Sequence, residues 1–459
     1  HIIHNYLKKK IKFKMSNVEN NFKAPDLKLV SEDIKHLNIN NTFNNTFNDL
    51  QYVSEIRVGI IGSVDSGKST ITGVLTKNVL DNGRGSARSL ILKHVHEQES
   101  GRTSCISQHH IKYHDDNEVL KSIVSLVDLA GHEKYLKTTI TGMKRCLVDY
   151  AGIVVAANMG VLMMTKEHIS LAMGLRLPIF IILSKIDMSP ENVTQNTIKN
   201  IYATFKKISK KRKLVMVKNQ LDLIPIFEEY KNKQVISIPI FASSSVTGEG
   251  VELLKYYLSN LNAFNQYHQY LPEEPNFIVD CVYHIKGVGI VVSGILAKGI
   301  VKKGDVLTIG PIFKRFIKIT IKSIHNNFRQ NINTLYAGQG GCFAIKSVSN
   351  KEVIKRGHIK RGARILSEKK ATLTRQFDAF IKILQHPTTI KVNYQPTVHC
   401  DNVTQCAQIV KMDKEYIRLG DTARVSFRFC YHPEYVETGG TIIFREGNCK
   451  GIGKIIKVY

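Results

Sequence analysis

The densest chemistry in the sequence lies in eight consecutive residues, Gly62-Ser63-Val64-Asp65-Ser66-Gly67-Lys68-Ser69, which follow the pattern GxxxxGK[ST]. Glycines at Gly62 and Gly67 leave backbone N–H groups free to turn toward an anion, and a helix starting just after them aims its N-terminus at the same place. The arrangement implies a cradle for the α- and β-phosphates of a nucleotide, completed by Val64, Asp65, Ser66 and Thr70. Lys68 is then placed to reach the β- and γ-phosphates, and the Ser69 hydroxyl to ligate Mg²⁺.

Three further elements follow in order. Asp128-Leu-Ala-Gly131-His132 comes directly after the apolar run SIVSLV. An acid at the carboxyl end of a strand holds Mg²⁺ through water, a glycine amide approaches the γ-phosphate, and His132 is suited to position an attacking water. Next comes Ser184-Lys185-Ile186-Asp187, after IFIIL. The Asp187 carboxylate accepts from both N1–H and the exocyclic amine of guanine, a pair of donors that adenine lacks, so the element implies GTP rather than ATP. Lys185 is expected along the purine plane. Ser184 stands where Asn is usual, and its shorter side chain implies weaker guanine binding. Ser244 and Ser245, in SSSVTGEG, suit a loop closing over the base.

Such groups need a rigid frame. Short apolar runs recur at EIRVGII before Gly62, Ser122–Val127, Gly152–Ala157, Ile179–Leu183 and Val235–Phe241, separated by segments of helical length such as Lys166–Leu177 and Val251–Leu261. Strands alternating with helices imply βαβ units and a mostly parallel sheet. After Pro272 the texture changes to short alternating segments split by glycine turns (NFIVDCVYHI, GIVVSGILAKG, GDVLTIG), and DAFIKIL and GTIIFRE repeat that texture further on. The expected architecture is an α/β P-loop GTPase domain over 52–270 and two all-β barrel domains over 271–368 and 369–459. The Asn-rich stretch over 1–51 reads as a flexible tail in which Met15 is the expected initiator. The basic run KKISKKRKLV near Lys206 reads as a solvated helix face or an insertion.

The 459-residue chain is ample for several domains, and no run of about 18 apolar residues proposes a membrane span. Its N-terminus lacks the apolar core of a secretory signal. A formal charge of +27 points to a polyanionic partner, nucleic acid or ribosome, over a mere lysine bias from an AT-rich genome. The eight cysteines show no CxxC pair, as expected of free thiols in a reducing cytosol.

The four elements in this order resemble the elongation factor Tu and 1-alpha superfamily of translational GTPases, and VDSGKST at Val64–Thr70 is worded as in elongation factor 1-alpha. LDNGRGSARSLILKHVHEQESGRTS from Leu80, DLAGHEKYLKTTITGM and MTKEHISLA narrow the resemblance to the eukaryotic GTP-binding protein 1 and 2 subfamily. HPTTIKVNYQPTVHC and FREGNCKGIGKII are similar to the third domain of such proteins, so the resemblance runs from about residue 52 to the last residue. It implies that Thr103 ligates Mg²⁺ beside Ser69 and Asp128, and that His132 and Lys68 serve catalysis. It also implies a monovalent cation near Asp65, and switch segments at Asp81–Ser107 and Gly131–Thr141. Arg102 stands where elongation factor Tu has an apolar residue, which suggests a cation acting in cis on the transition state, against the plainer reading of a solvent-facing or RNA-gripping side chain.

The implied protein is a cytoplasmic monomer that cycles between GTP and GDP, with ribosome or tRNA as partner and an exchange factor as a further one. Its implied function is tRNA delivery or release, or resolution of stalled ribosomes. The rival reading is a non-translational regulatory module controlling a partner enzyme, and a third is a protein that holds GTP and barely hydrolyses it. RNA binding predicts that Lys314, Arg315, Lys318, Lys322, Arg356, Lys360 and Arg361 gather along one barrel groove.

Overall fold

The computed structural model describes residues 53–459 except 93–96, 99–102, 104–105, 115–116, 209–210, 350–352, 386–387, 401–402 and 447–448. The tail expected over 1–51 and the side chain of Arg102 lie outside the described residues.

The nucleotide-domain elements run β1 (Ser54–Gly62), α1 (Lys68–Lys77), α2 (Ser86–Ser89), β2 (Ser107–His114), β3 (Leu120–Asp128), α3 (Leu136–Arg145), β4 (Tyr150–Ala156) and α4 (Met163–Gly174). They continue with β5 (Ile179–Ser184), α5 (Glu191–Ile208), β6 (Lys213–Met216), α6 (Ile224–Lys231), β7 (Ser237–Ala242) and α7 (Val251–Ser259). The sheet order is β2-β3-β1-β4-β5-β7-β6. Edge strand β2 is antiparallel to β3, and every other pairing is parallel. Helices cover both faces, so β4 and β5 are buried along their whole length and read as unbroken apolar runs. Alternation divides the side chains between two cores: Ile56, Val58, Ile60 and Val154 pack on one face, Ile61, Ile153 and Val155 on the other. The basic run near Lys206 begins in the last turn of α5 and ends in the edge strand β6.

Strand β1 lies between β3 and β4, where the strand order reverses, and the crevice at the carboxyl ends of such strands is where α/β sheets bind ligands. The register pairs Ile60 with Asp128, which brings the end of β1 and the end of β3 side by side.

Two barrels follow. The first comprises β8 (Asn276–Ile285), β9 (Gly289–Lys298), the short β10 (Ile300–Lys302), β11 (Val306–Ile312), β12 (Arg315–Asn326), β13 (Asn331–Ile332), β14 (Thr334–Tyr336), β15 (Gly340–Ser347) and β16 (Arg364–Leu366). Six of these, in the order β11-β16-β8-β9-β15-β12, form a ring that the β11–β12 pairing closes; β13 adds to β12, and β10 and β14 make a separate ribbon. The second barrel comprises β17 (Gln376–Gln385), β18 (Thr397–Cys400), β19 (Val403–Met412), β20 (Thr422–Phe429), β21 (Thr441–Glu446) and β22 (Cys449–Val458), closed in the order β17-β20-β19-β18-β21-β22. Each barrel has its own apolar core, with Phe277 and Phe343 central to the first and Phe377, Phe427 and Phe444 to the second.

Charge ties the first barrel to the sheet. The run EIRVGII carries Glu55 and Arg57, and both are buried in β1. Arg57 Nη2 lies 3.2 Å from Glu55 Oε2 and also donates to the Gly338 carbonyl of the first barrel. Glu55 in turn accepts from the Gly340 N–H (2.6 Å), the Asn327 amide (2.7 Å) and the Ser125 hydroxyl (3.1 Å). Asp149 accepts from the Arg57 N–H at 3.1 Å and from the Asn265 side chain at 2.9 Å. Close by in sequence, Arg145 pairs with Asp280 of the first barrel at 2.7 Å. The second barrel meets α3 through Lys144, whose ammonium donates to the carbonyls of Thr441 (2.7 Å) and His399 (3.3 Å).

Truncating one member of a buried pair strands the other, so Arg57→Ala is expected to lose about 3–5 kcal/mol of stability in urea unfolding; a loss near zero would show that Arg57 is dispensable. Burial pushes the Asp149 carboxyl up to about 6, against the opposing pull of Arg57. A raised acid favours its neutral form in the folded state, so its contribution is complete below about pH 4 and is lost as pH rises through about 6. Asp149→Asn is therefore expected to flatten the fall in unfolding free energy between those pH values, measured by urea titration at each.

Candidate nucleotide site

Strand β1 ends at Gly62, and the loop through Ser66 turns into α1 at Lys68. Gly67 caps that helix with φ 89°, a left-handed conformation that any side chain would strain. Inside the loop the Ser66 hydroxyl donates to the Ser63 carbonyl at 2.9 Å. Asp65 is exposed with φ 59°, and Val64 and Thr70 are half-buried. The Asp128–Gly131 segment packs directly on this loop. A Cβ added to Gly131 would stand 2.4 Å from Lys68 Nζ and 2.6 Å from the Gly62 carbonyl, so only glycine permits the approach.

Lys68 is buried, and its ammonium donates to the Ser63 carbonyl at 2.7 Å. Burial lowers its pKa, while Asp128 and Asp65 pull the other way. The three expected Mg²⁺ ligands converge. Ser69 Oγ lies 2.7 Å from Thr103 Oγ1 and donates to Asp128 Oδ2 at 2.7 Å, and Thr103 Oγ1 donates to the same oxygen at 3.0 Å. Asp128 is wholly buried, and its other oxygen, Oδ1, has no hydrogen-bond partner. Burial pushes this carboxyl up, opposed first by Lys68 and then by the two hydroxyl hydrogen bonds. Two hydroxyls and a carboxylate are a hard oxygen set with an uncommitted buried acceptor, and they fit Mg²⁺. Among the described residues no cluster of three His, Cys, Asp or Glu side chains could hold a metal ion.

His132 is exposed. Its Nδ1 accepts from the Lys134 N–H at 3.1 Å, and its ring meets Tyr135 edge-on at 6.1 Å, so the side chain is folded onto its own turn.

On the base side, Ser184 is buried and its hydroxyl donates to the Ser66 carbonyl at 2.6 Å, joining the end of β5 to the phosphate loop across the sheet. Lys185 takes φ 60°, and Asp187 is exposed on the 3₁₀ turn Ile186–Met188. Ser244 is fully buried, and its hydroxyl accepts from the N–H groups of Val246 (3.1 Å) and Thr247 (3.0 Å), so it shapes the loop from within. The Ser245 carbonyl accepts from the Asp81 N–H at 2.8 Å.

Two of these contacts were not foreseen from the sequence. Ser184, expected to bind guanine more weakly than the usual Asn, also ties its hydroxyl to the Ser66 carbonyl. Asp81 holds the start of the expected switch segment by accepting from the N–H groups of Gly83 (2.9 Å), Gly85 (3.1 Å) and Ala87 (2.9 Å). The signal was present in Asp-Asn-Gly-Arg-Gly-Ser, a run of turn residues that bond their own backbone.

The basic side chains expected in one groove divide between two. Lys314, Lys360 and Arg361 line a concavity where the barrels meet, and Lys322 and Arg356 line another on the first barrel. Lys318 pairs with Glu368 at 2.9 Å, and Arg315 is exposed at the start of β12. Lys314 sits in the turn before β12 while Lys322 lies eight residues further along that strand, so the two reach different concavities. No described helix is long and apolar enough to cross a membrane, and Cys146, Cys281, Cys342, Cys400, Cys406 and Cys430 form no disulfide.

A P-loop sheet with these nucleotide elements, followed by two closed barrels, defines a protein of the elongation factor Tu type, and residues 54–272 match the elongation factor Tu GTP binding domain family. The chain is 38% identical to GTP-binding protein 1 of Xenopus laevis over 88% of its own length and 63% of the relative's. It is 35% identical to human GTP-binding protein 2, over 89% of this chain and 70% of the other. It belongs to the GTP-binding protein 1 and 2 family of translational GTPases. The fold is shared with translation elongation factor SelB of Methanococcus maripaludis, solved in complex with the GTP analogue GppNHp, at TM-score 0.64 and 20% identity over 89% of this chain and 80% of that one. The chain thus spans about two thirds of the length of the GTP-binding protein relatives.

Removing the Ser184 hydroxyl leaves a buried carbonyl of the phosphate loop unpaired. Ser184→Ala is expected to weaken GDP binding about 5- to 30-fold, read by titration with a fluorescent GDP derivative; unchanged affinity would show that the tie does not hold the loop.

Proposed function

We propose that the chain binds GTP with Mg²⁺, hydrolyses it, and uses the cycle as a switch in tRNA delivery or release, or in the resolution of stalled ribosomes. The observation that carries this reading is the convergence of Ser69, Thr103 and Asp128 within hydrogen-bond distance beside the buried Lys68. In this reading the domains are an N-terminal tail over 1–51, a nucleotide domain over 52–270, and barrels over 271–368 and 369–459.

Each residue then has a distinct role. The loop from Gly62 through Thr70, with Val64, Asp65, Ser66 and Gly67, wraps the phosphates with backbone N–H groups, and the N-terminus of α1 faces the same anion. Lys68 exchanges its bond to the Ser63 carbonyl for phosphate oxygens. Ser69, Thr103 and Asp128 would hold Mg²⁺, which would supply charge neutralisation to the phosphates. Gly131 offers its N–H to the γ-phosphate. His132 swings off its own turn to orient the attacking water, leaving Lys134 free of its bond. Asp187 reads guanine, Lys185 lies on the purine, and Ser244 and Ser245 shape the loop beside it. A monovalent cation near the exposed Asp65 belongs to the same reading.

Hydrolysis frees Thr103 from the site and releases the segment that Asp81 begins. Because α3 contacts the second barrel through Lys144, movement of the Gly131–Thr141 segment is passed to the barrels. The net charge of +27 and the basic concavities support a ribosome or tRNA partner for a cytoplasmic monomer, with nucleotide exchange assisted by a factor.

GTP hydrolysis measured with and without ribosomes tests the reading. Ribosomes are expected to stimulate the wild type, and His132→Ala is expected to lose that stimulation by about 10²-fold or more while still binding GTP. Tight GTP binding with no ribosome response would favour a regulatory module acting on a partner protein.

A further inference from the structure

The two barrels meet around a concavity of about 560 Å³. The first barrel contributes Phe313 and Lys314 from the turn between β11 and β12, and His358, Lys360 and Arg361 from the segment leading to β16. The second closes the far wall with His432 and Tyr435. The one acid among the described lining residues, Glu434, lies 3.0 Å from His432 Nδ1; burial raises its pKa, against the opposing pull of His432 and Lys360. Arg364, at the edge of the cavity, donates to Asn276 at 2.9 Å and lies 5.7 Å from the Tyr435 ring centroid. The wall is therefore rich in cationic side chains, and its single acid lies against His432.

The turn at its rim is costly for the residues it uses. Ile312 pairs with Arg315, leaving Phe313 and Lys314 as the two corner residues, with φ of 48° and 62°. Such corners favour Asn and Gly, and a bulky aromatic there is strained. The strain brings no burial. Phe313 stays 71% exposed, its ring meeting only the edge of His358 at 4.8 Å among the ring contacts. An exposed aromatic face held beside three lysine and arginine side chains lacks a packing role, and it matches the way unpaired bases are gripped: a ring for the base, cations for the phosphates.

We propose that the inter-barrel groove binds a single-stranded segment of RNA, with phosphates on Lys314, Lys360 and Arg361 and one base stacked on Phe313. The proposal deepens the RNA-directed part of the function above, and it rests on that reading for the choice of RNA as the polyanion. The groove volume suits a nucleotide or two, and stacking on a side chain needs an unpaired base, so a strand is favoured over a duplex. An acidic peptide would use the cations and leave the ring idle, which the test distinguishes.

The test uses the full chain and a fluorescein-labelled, unstructured RNA of about ten nucleotides, read by anisotropy without ribosomes or added nucleotide. Phe313→Ala is expected to weaken binding about 5- to 100-fold with the salt dependence unchanged, and Phe313→Tyr to restore it. Lys360→Gln with Arg361→Gln is expected to lower the slope of log affinity against log salt by about 1.4, at 0.7 per lost phosphate contact. Lys322→Gln, in the other concavity, is expected to bind as the wild type does. Phe313 is largely exposed, so its variants should fold, and thermal unfolding of each confirms it. Normal binding by Phe313→Ala overturns the proposal, as does equal affinity for a duplex of the same length. Displacement of the RNA by polyglutamate of matching charge would also overturn it, leaving a plain anion groove. Ribosome-stimulated hydrolysis by the same preparations separates the two readings: stimulation with groove-independent RNA binding sinks the groove alone, and groove-dependent binding without stimulation sinks the translational role alone.

Discussion

The buried pairing of Glu55 with Arg57 fixes the relation between the sheet and the first barrel. Both residues lie near the start of β1, and the same strand ends at the phosphate loop. A buried ion pair is a weak source of stability, since desolvation offsets much of its attraction, but it is demanding about geometry. Here each member is committed to backbone and side-chain groups of the barrel, at Gly338, Gly340 and Asn327. Sliding the barrel by a fraction of a residue would leave several charged hydrogen bonds unmade in a dry interface. The strand that carries the nucleotide loop is thereby held in one register against its neighbour.

Much of the site was legible from spacing because its chemistry restricts residue type. Gly62, Gly67, Lys68, Ser69, Asp128 and Gly131 each occupy a position that few other residues suit, and the apolar runs before them announced the strands. The barrels were legible from alternation and glycine turns, though nothing in that pattern reveals how many strands close each ring. Less visible were contacts that join distant stretches. Ser184 reaches Ser66 over 118 positions, and Glu55 reaches Gly340 over 285, and neither has a local signature. The charges in EIRVGII were the clue to the latter. A strand covered by helices on both faces has no use for Glu and Arg unless another body packs there, and reading the run as simply apolar passed over it.

The basic residues of the first barrel show a similar limit. Their count was plain, but Lys314 sits in the turn between strands while Lys318 and Lys322 lie further along β12, so they end in different surroundings. Charge along a sequence predicts the sign of a partner more readily than the shape of the surface that meets it.

The closure of the second barrel has a consequence for how the chain is made. Its ring is completed by β22 lying antiparallel between β17 and β21, with Phe377 opposite Val458. The first strand of the ring therefore waits for the last, and loop closure over so many residues is entropically slow. Until then β17 presents one row of unpaired amides and carbonyls to its surroundings, an open edge of the kind that recruits other strands. During synthesis this half-made barrel needs shielding, and chaperone contact at that stage would spare it from pairing with a neighbouring chain.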